Sequence, residues 1–146
     1  MKSINKYFPN SKKIPIDEFI ANALYDKNYG YYSKKMPFGK KGDFITAPEI
    51  SFLFSEMLAL WVISFWEHLG KPKIFNIIEL GPGNGRMNST LIKVFKKFPE
   101  FFNSTNIFLY EKSESLKKLQ KKKLFDEKIK WIKSFNSITS GPVIFL

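Results

Sequence analysis

The feature that most constrains the fold of this chain is a glycine-rich turn that directly follows an apolar run. Residues 77–86 read IIELGPGNGR, with Glu79 near the end of the run and Gly81, Gly83 and Gly85 at alternate positions. Glycine is required where the backbone turns sharply or where a ligand packs directly on the main chain. We therefore expect a strand, a tight turn and a helix in succession, with the turn at the carboxyl end of the strand.

The segments around this turn alternate between strand and helix patterns. Short β-branched and aromatic runs predict strands at 73–80, 106–111, 128–132 and 141–146. Apolar residues at helical spacing predict helices at 88–98 and 113–125. Strands that alternate with helices indicate an α/β fold with a parallel, doubly wound sheet. We expect the last run to be a buried central strand, and the sheet to continue past Leu146 in a longer protein.

The first half of the chain predicts two helices joined by a long loop. One amphipathic helix is expected from Ile16 to about Asp26, and residues 27–48 are expected to form an ordered loop. A second helix is expected from Pro48 to Leu69, with apolar residues around nearly its whole circumference. Such a helix is usually buried in a core or lies in an interface.

The composition excludes several classes of site. The chain has no cysteine and a single histidine, His68, so neither a cysteine zinc site nor a histidine cluster can form, and we expect no metal. The formal charge of +11 comes almost entirely from lysine, because Arg86 is the only arginine. Arginine is the residue that suits bidentate recognition of phosphates and bases. The charge therefore argues only weakly for a nucleic-acid partner and more for the composition of an AT-rich genome.

The sequence also argues against targeting and membrane segments. The most apolar stretch, at 57–66, falls well short of the ~20 residues of a membrane span. The first residues carry neither the apolar segment of a secretory signal nor the arginines of a transit peptide. We therefore expect an intracellular protein without a membrane span.

The spacing of the turn separates the cofactor classes that use glycine-rich turns. A P-loop and a dinucleotide fingerprint both need a glycine at the position that Arg86 occupies, so the first fails and the second survives only weakly. The remaining pattern, E-x-G-x-G-x-G, resembles the first motif of class I S-adenosylmethionine-dependent methyltransferases. Glu111, after the next predicted strand, resembles the acid that binds the ribose hydroxyls of that cofactor. A tight strand–helix turn without a ligand remains an alternative for the motif alone.

Three further segments resemble one family in the order of its sequence. They are IPIDEFIANALYDKNYGYY (14–32), GDFITAPEIS (42–51) and YEKSESLKKLQKKKL (110–124). The family is that of the MidA-like methyltransferases, whose mitochondrial members are complex I assembly factors and protein arginine methyltransferases. The resemblance implies a class I methyltransferase (Rossmann-like) sheet over 73–146, preceded by a helical extension over 1–72.

The resemblance also assigns roles to particular residues. It implies that the S-adenosylmethionine pocket contains Glu79, Gly81, Gly83, Gly85 and Glu111. It further implies that the pocket is lined or covered by a loop containing Gly42, Asp43, Thr46, Pro48 and Glu49. Asp43 could equally cap a turn, and Glu49 could simply favour the amino end of a helix.

The resemblance implies that the acceptor side of the active site lies outside this sequence. In the family, the strand that matches 141–146 leads into an acidic segment beside the transferred methyl group, which would lie beyond Leu146, so the catalytic residues are unknown. The resemblance thus implies a protein substrate, possibly a complex I subunit, for the whole protein, whereas we expect this part alone to be inactive. The protein would be cytoplasmic in a bacterium or reside in the mitochondrial matrix of a eukaryote. A non-catalytic assembly protein that keeps the fold, and a lysine-rich nucleic-acid binder, remain alternatives.

Overall fold

The structure is a computed structural model that describes residues 13–34, 42–43, 45–124, 128–138 and 140–146. Its α-helices are α1 (Ile16–Tyr25), α2 (Tyr31–Lys34), α3 (Ala47–Ile50), α4 (Phe52–His68), α5 (Arg86–Phe95), α6 (Pro99–Ser104) and α7 (Glu114–Lys123). Its strands are β1 (Phe75–Leu80), β2 (Thr105–Tyr110), β3 (Ile129–Ile132) and β4 (Val143–Phe145). A short 3-10 helix, Phe135–Ser137, precedes β4.

The four strands form one parallel sheet in the order β3-β2-β1-β4. Ile77 of β1 is paired with Ile107 of β2 on one side and with Ile144 of β4 on the other. The strand order therefore reverses beside β1, and ligands of open α/β sheets bind at such a reversal, beyond the carboxyl ends of the strands. The predicted parallel α/β sheet is confirmed.

The core fixes the turn after β1 by holding α5 against the sheet. Leu91 and Phe95 of α5 and Val62 of α4 are fully buried in one cluster with the inward-facing residues of β1 and β2. Burial of each such side chain contributes roughly 1.5–3 kcal/mol. Because α5 begins at Arg86, this packing also fixes the position of the glycine turn that leads into it.

The prediction of a single helix from Pro48 to Leu69 is wrong, because Ser51 interrupts the helix. The backbone of Ser51 is extended, with φ −144° and ψ 133°, and its hydroxyl accepts a hydrogen bond from the Leu53 amide as the N-cap of α4. The apolar sequence carried no periodic signal for this break. It also gave no signal for which face is buried: Val62 is fully buried, whereas Trp61 is 53% exposed.

Three other predictions are revised. The loop predicted at 27–48 contains α2 and the start of α3, although residues 35–41 and 44 lie outside the described residues. The helix predicted at 88–98 ends at Phe95, and a separate helix, α6, follows it. Among the described residues β4 is an edge strand rather than a central one, and Phe145 is 54% exposed. None of the helices in the described ranges is long and apolar enough to cross a membrane.

Candidate functional site

The glycine turn leaves the carboxyl end of β1 in a conformation that favours glycine. Gly81, Gly83 and Gly85 all have positive φ, at 69°, 54° and 75°. The Gly81 amide donates to the Tyr110 carbonyl at 2.9 Å, which ties the turn to the end of β2. A side chain at Gly81 would project into open space rather than into protein. The main chain at this point is therefore exposed to whatever lies above the sheet.

Two cavities lie on either side of this turn, and Gly81 and Gly83 line both of them. The larger, of about 240 Å³, is bounded by residues that the sequence nominated: Thr46, Pro48, Glu49 and Glu79. The smaller, of about 130 Å³, is lined by Tyr25, Tyr32, Leu116 and Glu111. The turn thus separates two spaces: the larger is lined by the carboxylates of Glu49 and Glu79, and the smaller by that of Glu111.

Glu79 lines the larger cavity and is almost fully buried. Burial, with a smaller effect of the nearby Glu111 carboxylate, raises the pKa of Glu79 to about 8. The side-chain amide of Asn88, a buried residue of α5, donates to the Glu79 carboxylate. A carboxyl group with this pKa holds its proton at neutral pH until a cation approaches it.

Glu111 is the carboxylate of the smaller cavity, and each of its oxygens accepts a hydrogen bond from the protein. The Ser113 amide donates to Oε1 at 2.8 Å, and the Gln120 side-chain amide donates to Oε2 at 3.0 Å. A carboxylate offers about four lone pairs, so both oxygens keep the capacity to accept from a ligand. The orientation of Glu111 is fixed while its remaining lone pairs stay available.

Glu49 joins the helical extension to the glycine turn. Its carboxylate accepts from the Asn84 side-chain amide at 2.6 Å and forms an ion pair with Arg86 at 3.2 Å. The Arg86 guanidinium also lies over the Phe52 ring, 4.6 Å from its centre. These contacts hold α3 as one wall of the larger cavity.

Three of the nominated residues do not line either cavity. Asp43 is exposed and accepts a 2.6 Å hydrogen bond from the Tyr31 hydroxyl, which raises the pKa of Tyr31 to about 12. Gly42, its neighbour, is half-buried. Gly85 is buried at the amino end of α5, where an added Cβ would lie 3.1 Å from a Leu124 side-chain carbon. The positive φ of Gly85 and the close approach of Leu124 both favour glycine at that position.

Two aromatic residues of the extension were missed by the sequence reasoning. The rings of Tyr25 and Tyr32 stack 5.6 Å apart and line the smaller cavity beside Glu111. The Ser113 hydroxyl donates to the Tyr32 carbonyl at 3.1 Å, which ties α2 to the loop after β2. Burial, with smaller effects of Tyr32 and Glu111, raises the pKa of Tyr25. No periodic signal marks these tyrosines, because they lie at the end of one short helix and the start of another.

Two buried polar residues were also missed, although the sequence held a signal for them. Asn88 lies seven residues before Phe95, and Gln120 lies four residues after Leu116, so helical spacing places both on buried faces. Asn88 is 1% exposed and Gln120 is fully buried. A polar residue at an apolar position of the period requires a hydrogen-bond partner, which here is a carboxylate of the site.

The arrangement suits a ligand that carries a cationic group and hydroxyl groups. Carboxylates accept from ammonium and hydroxyl donors, and the exposed main chain of the turn allows close approach. Across the described ranges, no group of three or more histidine, cysteine or acidic residues is placed to bind a metal ion.

Comparison with known proteins identifies the family to which this chain belongs. The model of a family of S-adenosyl-L-methionine-dependent methyltransferases matches residues 57–146. A protein arginine methyltransferase NDUFAF7 from Xenopus tropicalis is 39% identical over 113 residues, which are 76% of this chain and 26% of the relative. Its human counterpart is 37% identical over 118 residues, or 80% of this chain and 27% of the relative. The chain thus spans about a quarter of the length of these curated relatives.

A solved structure agrees with this relationship at the level of the fold. A crystal structure from Burkholderia thailandensis, bound to S-adenosyl-homocysteine, superposes with a TM-score of 0.72 at 24% identity. The match covers 90% of this chain and 36% of that chain. The sheet is therefore of the class I methyltransferase type. Together with the family match, this places the chain in the MidA-like family of S-adenosyl-L-methionine-dependent methyltransferases, as the motifs had predicted.

Proposed function

We propose that this chain forms the S-adenosylmethionine site of a methyltransferase, and that the whole protein methylates an arginine of a protein substrate. The observation that carries the proposal is the pair of carboxylates at the carboxyl ends of adjacent strands. Glu79 and Glu111 face two cavities that share the glycine turn as a common wall.

The residues of the site fit the chemical groups of this cofactor. Glu79 would accept from the amino group of the methionine part, and its buried carboxyl would ionise as that cation binds. Glu111 would accept from the ribose hydroxyls through the lone pairs that Ser113 and Gln120 leave available. The main chain of Gly81 and Gly83 would pack against the cofactor without side chains between them. When bound, S-adenosylmethionine supplies a methyl group activated by its positively charged sulfur.

The helical extension would close the site from the side opposite the sheet. Thr46, Pro48 and Glu49 line the larger cavity, so α3 would cover the bound cofactor there. Gly42 and Asp43 would act from further out, because Asp43 contacts Tyr31 and the Tyr31 ring packs edge-on against Tyr32. Under this proposal, the helical extension over residues 1–72 supplies the loop that covers the cofactor, and residues 73–146 bind it.

The acceptor is proposed from the relatives. Both curated relatives are named protein arginine methyltransferases and are described as mitochondrial. Carboxylates orient a guanidinium by paired hydrogen bonds, which is how a protein arginine would be held in line with the methyl group. The resemblance to complex I assembly factors supports a complex I subunit as the substrate. The mitochondrial matrix in a eukaryote, or the cytoplasm in a bacterium, is the compartment where we expect the whole protein.

Calorimetry with S-adenosyl-homocysteine tests the cofactor site. We expect the whole protein to bind this ligand, and Glu111→Ala to weaken binding by about a hundredfold, since hydrogen bonds to a charged group are lost. Gly83→Val should abolish binding, because a β-branched residue is strained at positive φ and would fill the space between the cavities. Glu114→Ala is the matched control: Glu114 lies three residues further along, is exposed, and forms an ion pair with Lys117 at 2.9 Å.

The same measurements separate the alternatives. Absence of binding by the wild-type protein would overturn the cofactor site. Binding without methyl transfer to arginine-containing proteins would favour a non-catalytic assembly protein that kept the fold. Steeply salt-dependent binding of RNA in place of the cofactor would favour the hypothesis that the protein is a lysine-rich nucleic-acid binder.

A further inference from the structure

Gln120 connects the two halves of the proposed site from behind. It lies on α7, is fully buried and lines neither cavity. Its side-chain amide nitrogen donates to the Gly83 carbonyl at 2.8 Å and to Glu111 Oε2 at 3.0 Å. One planar group thus joins the glycine turn after β1 to the carboxylate after β2.

The chemistry of its partners fixes the orientation of this amide. The Gly83 carbonyl and the Glu111 carboxylate are acceptors, so both require the NH₂ end of Gln120. At the other end, the indole nitrogen of Trp131 donates to Gln120 Oε1 at 3.0 Å, and an indole N–H can only donate. A flipped amide would place donors against Trp131 and an acceptor against two acceptors. All three bonds therefore select one orientation.

The packing around Gly85 also connects the glycine turn to Gln120. A Cβ added at Gly85 would lie 3.6 Å from the Gln120 side chain and 3.1 Å from that of Leu124. Gly85 therefore packs closely against Leu124 and within van der Waals range of Gln120, the residue whose amide reaches Gly83. The third glycine of the motif and the buried glutamine are thus parts of one contact.

We propose that Gln120 is a positioning residue that sets the Glu111 carboxylate at the correct distance from the glycine turn for the ribose of the cofactor. The inference rests on the proposed function of Glu111. Gln120 acts through Glu111 and Gly83 and does not itself touch the cofactor.

The test compares two ligands that differ in the ribose. S-Adenosyl-homocysteine and its 2′-deoxy analogue are titrated by calorimetry into the whole protein, its Gln120→Met variant and its Thr105→Val variant. Met keeps the length of the side chain but makes none of the three bonds. Thr105→Val is the matched control: Thr105 is also buried and donates one side-chain hydrogen bond, to the Phe101 carbonyl at 2.7 Å, at the opposite end of β2.

We expect the wild type to prefer the ribose ligand by about tenfold, as a hydroxyl bonded to a carboxylate implies. Gln120→Met should bind S-adenosyl-homocysteine about tenfold more weakly, and its preference for the ribose ligand should fall at least about threefold. Thr105→Val should lower the melting temperature but keep both the affinity and the preference. A purely structural role of Gln120 would lower stability without changing the preference.

The outcomes distinguish the two proposals. An unchanged preference in Gln120→Met, with wild-type binding intact, overturns the positioning role alone. No binding by the wild type overturns the proposed function and this role together. If Gln120→Met does not fold, Trp131→Phe replaces it: this variant keeps both donated bonds but removes the bond that anchors Oε1, so the amide is held less firmly, and a smaller loss of the same preference is expected. An unchanged preference there overturns the role.

Discussion

Glu79 and Glu111 lie at the carboxyl ends of neighbouring parallel strands, but the protein surrounds them differently. Glu111 accepts two hydrogen bonds, from the Ser113 amide and the Gln120 side chain, one on each oxygen. Glu79 accepts one, from Asn88, and lies in a more buried position where its pKa is raised to about 8. The two acids therefore serve the proposed site in different ways. Glu111 is an acceptor fixed in orientation, whereas the charge of Glu79 depends on what binds beside it.

This difference follows from the elements that surround each acid. Glu79 precedes the turn and lies within the sheet, so its neighbours are the core and α5. Glu111 follows β2 and lies at the amino end of α7, where a main-chain amide is free to donate. A sequence motif of this kind predicts an acidic residue at each strand end. It does not predict how many hydrogen-bond donors the fold places around that residue.

The largest expected effect separates the two acids by isosteric substitution. Glu111→Gln should weaken the binding of S-adenosyl-homocysteine by about ten- to a hundredfold, because its new NH₂ group must face a donor already in place. Glu79→Gln should weaken the binding of this ligand by about tenfold or less at neutral pH, since the wild-type carboxyl is largely protonated before binding. Calorimetry at about pH 7 measures both affinities. Equal losses, or a larger loss for Glu79→Gln, would contradict the comparison.

The proton on Glu79 predicts that binding is linked to pH. Accepting from the ammonium of the ligand requires the charged carboxylate, so binding below pH 8 should release about one proton. The affinity for S-adenosyl-homocysteine should then rise with pH between about pH 6 and pH 8, by at most about tenfold per unit. Calorimetry in two buffers of different ionisation enthalpy counts the released protons. Glu79→Gln should release none, and release by that variant as well would assign the proton to another group.

The same proton predicts a stability effect without ligand. The pKa of Glu79 is about 8 in the folded protein and near 4.5 when unfolded, so the folded state binds more protons between these values. The free energy of unfolding should therefore fall as pH rises through this window, by at most about 1.4 kcal/mol per pH unit. Glu79→Gln should remove that slope and melt at a higher temperature than wild type near pH 8.

The control for this measurement is an exposed acid with the opposite shift. The hydrogen bond and charge of Lys117 lower the pKa of Glu114, so Glu114 titrates below the window. Melting curves of Glu114→Gln between about pH 5 and pH 8 should keep the wild-type slope. If Glu79→Gln also keeps the wild-type dependence of stability on pH, Glu79 does not hold the proton.

The sequence predicted the sheet side of the site better than the extension. The turn after β1 and the acid after β2 follow from local patterns, because a strand run and the glycines after it are contiguous in sequence. Glu49 contacts Arg86 across 37 residues, and Tyr25 lines a cavity together with Glu111, which lies much further along the chain, so no local pattern encodes these contacts. The break at Ser51 was hidden for a different reason, since a uniformly apolar segment predicts a helix without predicting where it bends.

The smallest effect concerns this long-range contact between the extension and the turn. Arg86→Met removes the ion pair to Glu49, whose partners are partly exposed at 34% and 10%, so solvent screening limits its contribution. We expect about a threefold weaker affinity for S-adenosyl-homocysteine and faster amide hydrogen exchange in α3, as one wall of the larger cavity loosens. Lys71→Met is the matched control: it removes an exposed ion pair to Glu100 ahead of β1, far along the strand from the turn, and should leave both quantities unchanged. If Arg86→Met left exchange in α3 at the wild-type rate, the contact would be a surface pair without a role in holding α3 over the turn.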